Sequence, residues 1–184
     1  MAHISKIITI NGASNTGKTT VSDLLTHIRP MTVKIELDSL GVGHTTRHLP
    51  RATKDYVLKK FGNTILEDCA TLAINWIDRE CDVVYPGLFP IKGFEEFRTH
   101  MKKRLGKRQV EYYCFTLKPP LEIAVKNRGP RILDEKEKEF ITDLYSWLYE
   151  PSYGIVIDNQ AQTPEQTADL IASHIRDGQP EARS

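Results

Sequence analysis

The chain has 184 residues, 40% of them hydrophobic and 27% charged, with a formal net charge of +1. That size and balance suit one compact domain with a sizeable core. So small a net charge speaks against a broad electrostatic surface for nucleic acid or anionic membrane, leaving at most a local patch, and no apolar run approaches the ~20 residues that span a bilayer.

In chain order, Lys6 to Ile10 is a short β-branched run ending at Asn11-Gly12, the pattern of a buried strand entering a tight turn. Val21, Leu24, Leu25 and Ile28 recur at helical spacing until Pro30. Further buried strands are predicted over Thr32 to Leu37, Asp82 to Tyr85, Val110 to Leu117 and Gly154 to Ile157. Between them, Ile65, Cys69, Leu72 and Trp76 make one helical face; Phe94, Phe97, Met101 and Leu105 make another, stopped by Gly106; Phe140, Leu144, Trp147 and Leu148 make a third. The last helix has a capping-box start, with Thr163 as N-cap, Pro164 at the first position and Gln166 at the third. The charge run Asp134 to Glu139 reads as a solvated helix start.

Strands alternating with helices predict an α/β fold, a five-stranded parallel sheet covered on both faces, in which ligands sit beyond the carboxyl ends of the strands. A single domain is expected over residues 1–176, with a flexible tail over 177–184. Cys69, Cys81 and Cys114 are far apart in apolar contexts, as reduced core thiols of a cytoplasmic protein are. Lys6 interrupts the one stretch that could pass for a signal segment.

Gly12-Ala13-Ser14-Asn15-Thr16-Gly17-Lys18-Thr19 fits the phosphate-loop pattern without a gap, and Thr20 follows it. Its glycines let the backbone curl so that amides face phosphate oxygens, and the helix starting near Lys18 adds its positive end. Lys18 would neutralise the β- and γ-phosphates of ATP, and the Thr19 hydroxyl would ligate Mg²⁺. Four fixed positions match by chance in roughly one chain in a hundred or fewer, and the flanking strand and helix lower that further.

Holding a nucleotide does not say how it is used. A switch GTPase would carry Asn/Thr-Lys-x-Asp to read guanine, which this chain lacks, although Asp38-Ser39-Leu40-Gly41 imitates Asp-x-x-Gly. A motor ATPase would put acids at the end of an apolar strand, whereas Asp82 to Tyr85 runs into Pro86-Gly87. Over about Lys6 to Ile175 the chain resembles the P-loop kinase superfamily of nucleotide, shikimate, gluconate and antibiotic kinases. "VKIELDSLG" resembles the second strand of chloramphenicol phosphotransferase-like kinases, "FTLKPPLEIAVKNRGPR" the strand, short helix and arginine-bearing lid, and "IVIDNQAQTPEQTADLI" the last strand, adenine-side loop and final helix. The Asp-Gly-apolar-Pro-Arg of nucleoside monophosphate kinases is replaced by Tyr85-Pro86-Gly87-Leu88-Phe89-Pro90, which favours a neutral or hydroxylated small-molecule acceptor.

The resemblance implies a phosphotransferase using ATP and Mg²⁺, with Asp38 as the general base or metal-positioning group and Arg128 and Arg131 in the lid. Asp38 lies twenty residues after Lys18, at a predicted strand end, and Glu36 on the same face is the substitute. Arg128 and Arg131 bracket Gly129-Pro130, and their planar donors suit phosphate oxygens; the plainer reading is a solvated loop. Arg47, His48 and Arg51 are either acceptor-pocket residues or surface charge. His27 and His174 have no assigned role. Lys102, Lys103, Arg104, Lys107 and Arg108 form a basic cluster that suits a helix C-terminus. Its sharper reading is a track for a polynucleotide end, making the protein a 5′-hydroxyl kinase. A nucleotide-binding regulatory module without an acceptor is the other alternative.

Overall fold

The structure, a computed structural model, describes residues 3–36, 67–88, 91–126, 132–147 and 154–178. Its strands are β1 (Ser5–Asn11), β2 (Thr32–Lys34), β3 (Asp82–Gly87), β4 (Val110–Leu117) and β5 (Ile155–Ile157). The helices are α1 (Lys18–Ile28), α2 (residues 67–77), α3 (Ile91–Leu105), α4 (Leu121–Ala124), α5 (Glu135–Trp147) and α6 (Pro164–Arg176). All five strands are parallel, in the order β2-β3-β1-β4-β5. This is the α/β sheet expected from the alternation of patterns, and it puts β1 at the centre.

A strand covered on both faces is buried along almost its whole length, and β1 obeys: every residue but Lys6 is buried, the polar Ser5, Thr9 and Asn11 included. Ile7 points to one side, packing with Val83, Tyr85 and Cys114 against Cys69, Ala70 and Ala73 of α2 and Phe94, Phe97 and Met101 of α3. Ile8 and Ile10 point to the other, packing with Phe115 and Leu117 against Val21 and Leu25 of α1 and Ala168, Ile171 and Ile175 of α6. Each large apolar side chain buried in these two layers contributes about 1.5–3 kcal/mol relative to exposure. The aromatic pair Tyr85 and Phe97 meets edge to face, ring centroids 5.2 Å apart. All three cysteines are free and buried, as expected.

The element ends follow local chemistry. Gly106, at φ 60°, ends α3, and its N–H donates to Lys102 O. The capping box at α6 is present in both directions, from Gln166 N to Thr163 Oγ1 and from Thr163 N to Gln166 Oε1. A reciprocal pair also opens α5, where Glu137 N donates to Asp134 Oδ1 at 2.8 Å and Asp134 N to Glu137 Oε2 at 3.2 Å, so the charge run is a helix start.

Some predicted details differ. Trp76 does not face the core: it is 38% exposed, and α2 instead buries Cys69, Ala70, Ala73 and Ile77. Small residues line the face of this helix turned to the sheet, and the Tyr85 hydroxyl donates to Cys69 O at 2.8 Å. Phe140 is 51% exposed, while Ile141 and Leu144 are buried, because α5 packs on α4 and on Ala13. β3 continues through Pro86 and Gly87, paired with Ile10 and Asn11. Val84 O accepts from Ile35 N on the β2 side, and Pro86, two residues on, turns its missing N–H the same way, past the end of β2. β2 itself stops at Lys34 rather than Leu37, and Leu37 and Ile65 lie outside the described residues. No helix among the described residues is long and apolar enough to cross a membrane.

Candidate active site

The loop between β1 and α1 leaves the carboxyl end of the central strand. Gly12 occupies its tightest point, where an added Cβ would lie 2.7 Å from Thr16 Oγ1 and 2.8 Å from the Leu117 carbonyl oxygen. Asn15 at φ 65° and Gly17 at φ 93° are left-handed, a backbone pattern that curls successive amides into an anion-binding concavity. Gly17 is also the N-cap of α1, makes no side-chain cap, and is followed by a first turn without a carboxylate. The amides and positive dipole end of α1 therefore suit an anion.

Side chains fix the loop from within and without. Thr16 Oγ1 donates to Ala13 O at 3.0 Å, and Lys18 Nζ reaches back over the loop to the same oxygen at 2.7 Å. Ser22 Oγ donates to Lys18 O at 2.7 Å. Ser14 is half-buried, and Thr19 and Thr20 are exposed on the first turn of α1. From the loop after β5, Asn159 Nδ2 donates to Thr16 O at 3.0 Å. On the other flank, Asn15 Nδ2 donates to Ala124 O at 2.7 Å and Lys126 O at 2.9 Å, and Tyr145 of α5 donates to Pro119 O at 2.7 Å.

Gly12 to Thr20 thus form one loop and the first turn of α1 beyond the carboxyl end of β1. Asn159 and Tyr145 were not singled out, although Asn159 had a signal: a polar residue directly beyond an apolar strand, where parallel sheets bind ligands. Asp38, Arg128, Arg131, Arg47, His48 and Arg51 lie outside the described residues.

Glu36 is described. Strand alternation puts Lys34 and Glu36 on the α1 side of β2, where Lys34 Nζ pairs with Glu36 Oε1 at 2.8 Å and with Asp23 of α1. Burial pulls the Lys34 ammonium down in pKa, but the hydrogen bonds to Asp23 and Glu36 and their charges outweigh it, holding the group above the usual lysine range. Glu36 is therefore engaged with a permanent cation.

The basic cluster stands elsewhere. Arg108 precedes β4, at the amino end of the sheet, and grips Asp78 with two bonds of 2.7 and 2.8 Å, while Arg104 donates to Thr71 at 3.1 Å. The Arg108 bond lowers the Asp78 carboxyl below the usual carboxylate range and raises the guanidinium. The cluster lies at the end of the sheet opposite the phosphate loop, and two of its members hold α2 to its neighbours.

A phosphate loop on the central strand of a parallel sheet in the order 2-3-1-4-5 has close structural counterparts. Thymidylate kinase from Candida albicans matches with a TM-score of 0.68 at 11% identity, over 96% of this chain and 93% of its own. A sugar kinase from Janibacter sp. HTCC2649 matches with a TM-score of 0.63 at 15% identity, over 94% and 95%. The fold is that of the P-loop kinases. Shikimate kinase from Acinetobacter baumannii, solved with shikimate, matches at 0.52 and 19% identity, over 96% and 95%. The P-loop kinase fold therefore accounts for almost the whole chain, at identities that speak to architecture alone. No protein-family model and no curated protein matches the chain.

Proposed function

We propose that this chain is an ATP-dependent phosphotransferase that moves the γ-phosphoryl group of MgATP to a hydroxyl of a small-molecule acceptor. The observation that carries the reading is the complete phosphate loop, Gly12 to Thr19, held at the carboxyl end of the central strand of a P-loop kinase fold. Phosphoryl transfer asks little covalent chemistry of a protein, so positioning and charge supply most of the catalysis.

The residues take these roles. The loop amides and the α1 N-terminus seat the phosphates, and Lys18 Nζ moves from Ala13 O to the β- and γ-oxygens, screening charge as the group transfers. The exposed Thr19 hydroxyl fits a hard cation that arrives on the phosphates and takes few protein ligands. Such a Mg²⁺ would neutralise phosphate charge. In the sequence Asp38 comes soon after β2, and we assign it as the group that accepts the acceptor's proton or orients the metal. Glu36, paired with Lys34, is the less suitable base. Arg128 and Arg131 supply donors to the transferring group.

A polynucleotide 5′-hydroxyl kinase is not favoured, because the basic cluster sits at the wrong end of the sheet and Arg108 is committed to Asp78. A regulatory module would bind ATP without acceptor-stimulated turnover. The test is a screen of sugars, polyols, nucleosides and cyclic hydroxy acids for acceptor-dependent ADP release. Lys18→Ala should lower the responding rate by about 10²- to 10³-fold, the scale of losing one preorganised donor. A near-normal rate in that variant, or no acceptor response in a wild type that binds ATP, would overturn the proposal.

A further inference from the structure

Asn15 stands in the middle of the phosphate loop, yet its side-chain donors do not serve the loop. One amide nitrogen gives both its hydrogens to a different element, the end of α4: Ala124 O at 2.7 Å and Lys126 O at 2.9 Å. The last carbonyls of a helix have no partner inside it and take whatever donor is offered. Here the donor belongs to the nucleotide site. The neighbouring residue is held from the opposite flank, Thr16 O by Asn159 Nδ2 at 3.0 Å, and Asn159 is only 5% exposed. The chain before α4 is held in turn, since Pro119 O accepts from Tyr145, whose helix packs Leu144 on Ala13.

Two explanations of Asn15 compete. Asparagine tolerates φ 65°, so it could be present for its backbone alone. Glycine or aspartate would then serve as well. The paired bonds to α4 argue otherwise, because only an amide NH₂ can satisfy two carbonyls from one short side chain.

We infer that Asn15 is a positioning residue of the phosphate site: its side chain pins the loop to the end of α4 and so presets the amides that receive the nucleotide's phosphates. The inference rests on the kinase reading for its consequence in catalysis. A loop held in its receiving geometry does not have to be ordered when the anion arrives, so the benefit appears as ATP affinity and as rate.

Asn15→Gly separates the explanations, since glycine adopts this φ freely and only the amide is lost. Asn15→Asp keeps the volume but turns two acceptors toward two carbonyl oxygens. If Asn15 pins the loop, Asn15→Gly weakens ATP binding on the order of tenfold, the scale of one or two lost neutral hydrogen bonds, and Asn15→Asp weakens it further. Trypsin should also cut faster after Lys126 in both variants, because the carbonyl at that bond is the one Asn15 holds. Circular dichroism and thermal unfolding confirm that the variants are folded. Wild-type ATP affinity in both variants with unchanged cleavage after Lys126 overturns the inference. Acceptor-dependent ADP release is measured separately: its absence from the wild type defeats the kinase reading, whereas ATP affinity and cleavage after Lys126 still decide the pinning.

Discussion

At the scale of single residues, the proposed chemistry is concentrated at Lys18 and at the acids that follow β2. Lys18 is the cation the loop itself supplies, 2.7 Å from Ala13 O and with its backbone carbonyl bound to Ser22. In the proposed reaction the proton-accepting role falls to Asp38 or Glu36, and the surroundings of Glu36 weigh against the latter. Glu36 accepts from Lys34, whose ammonium is held above the usual lysine range, so its carboxylate is already engaged with a cation. Asp38→Asn should therefore lower acceptor phosphorylation by about 10²-fold or more with ATP affinity little changed, the range of a lost general base. Glu36→Gln should cost far less. The reverse ranking in steady-state rates would move the role to Glu36. Partial rescue of Asp38→Asn by excess Mg²⁺ would identify metal positioning as its task. If the arginines act on the transferring group, Arg128→Ala and Arg131→Ala should reduce kcat more than they raise the KM for ATP.

At the scale of elements, the site depends on places where backbone passes too close to admit a side chain. Gly12 is one, with Thr16 Oγ1 and the Leu117 carbonyl already inside contact distance of any Cβ. Gly12→Ala should abolish measurable ATP binding while leaving most of the helical circular dichroism, because the loop must shift and the layers beneath it need not. Gly154 is the other: at φ 68° its added Cβ would lie 2.5 Å from Cys114 O, on the β4 backbone. Gly154→Ala should detach β5 from β4, lowering the urea midpoint and with it the unfolding free energy, by about 3 kcal/mol or more, the scale of severe single substitutions. A midpoint within error of the wild type would show that β5 docks independently of that contact.

At the scale of the whole molecule, the buried charge cluster around Asp82 and the phosphate loop lie at opposite ends of the sheet. Asp82 opens β3 at the amino end, with its side chain 5% exposed, and accepts from Arg29 at 2.7 Å, from Lys6 N at 2.9 Å and from His3 at 3.2 Å. Removing it strands Arg29, whose side chain is 18% exposed. Asp82→Ala should cost somewhat less than the ~3–5 kcal/mol of a fully buried pair, because Arg29 and His3 keep some solvent. ATP affinity should be unaffected; a parallel loss of binding would show that the two ends are coupled. Alkaline pH acts on the core. Burial pushes the Cys69 thiol and the Tyr112 and Tyr113 phenols up to about 12 each. The folded chain then keeps protons that the unfolded chain releases first, so their contribution to stability is complete below about pH 9 and is lost as pH rises toward 12. Unfolding free energy measured from pH 8 to pH 11 should fall, and a rise would contradict this account.

The sequence by itself determined the phosphate loop, the strand-helix alternation and the capping box of α6, because each depends on residues close together in the chain. Thr163 and Gln166 announce a cap that no distant contact has to complete, and Gly12 and Lys18 announce a loop whose geometry Leu117, Asn159 and the end of α4 then hold from afar. The burial of α2 and α5 was legible only in part: Trp76 and Phe140 sit at helical spacing with core residues, but which stripe turns inward depends on how closely the helix lies to the sheet. Tertiary structure alone decided that Asn159 holds Thr16 from 143 positions away and Asn15 holds the end of α4 from more than a hundred. It also decided that Lys34 ties Asp23 to Glu36, and that the basic cluster lies far from the phosphates. A polar side chain has the same composition and local pattern whatever it bonds to, and its partner is chosen by the strand order that brings the carboxyl ends of β1, β4 and β5 together.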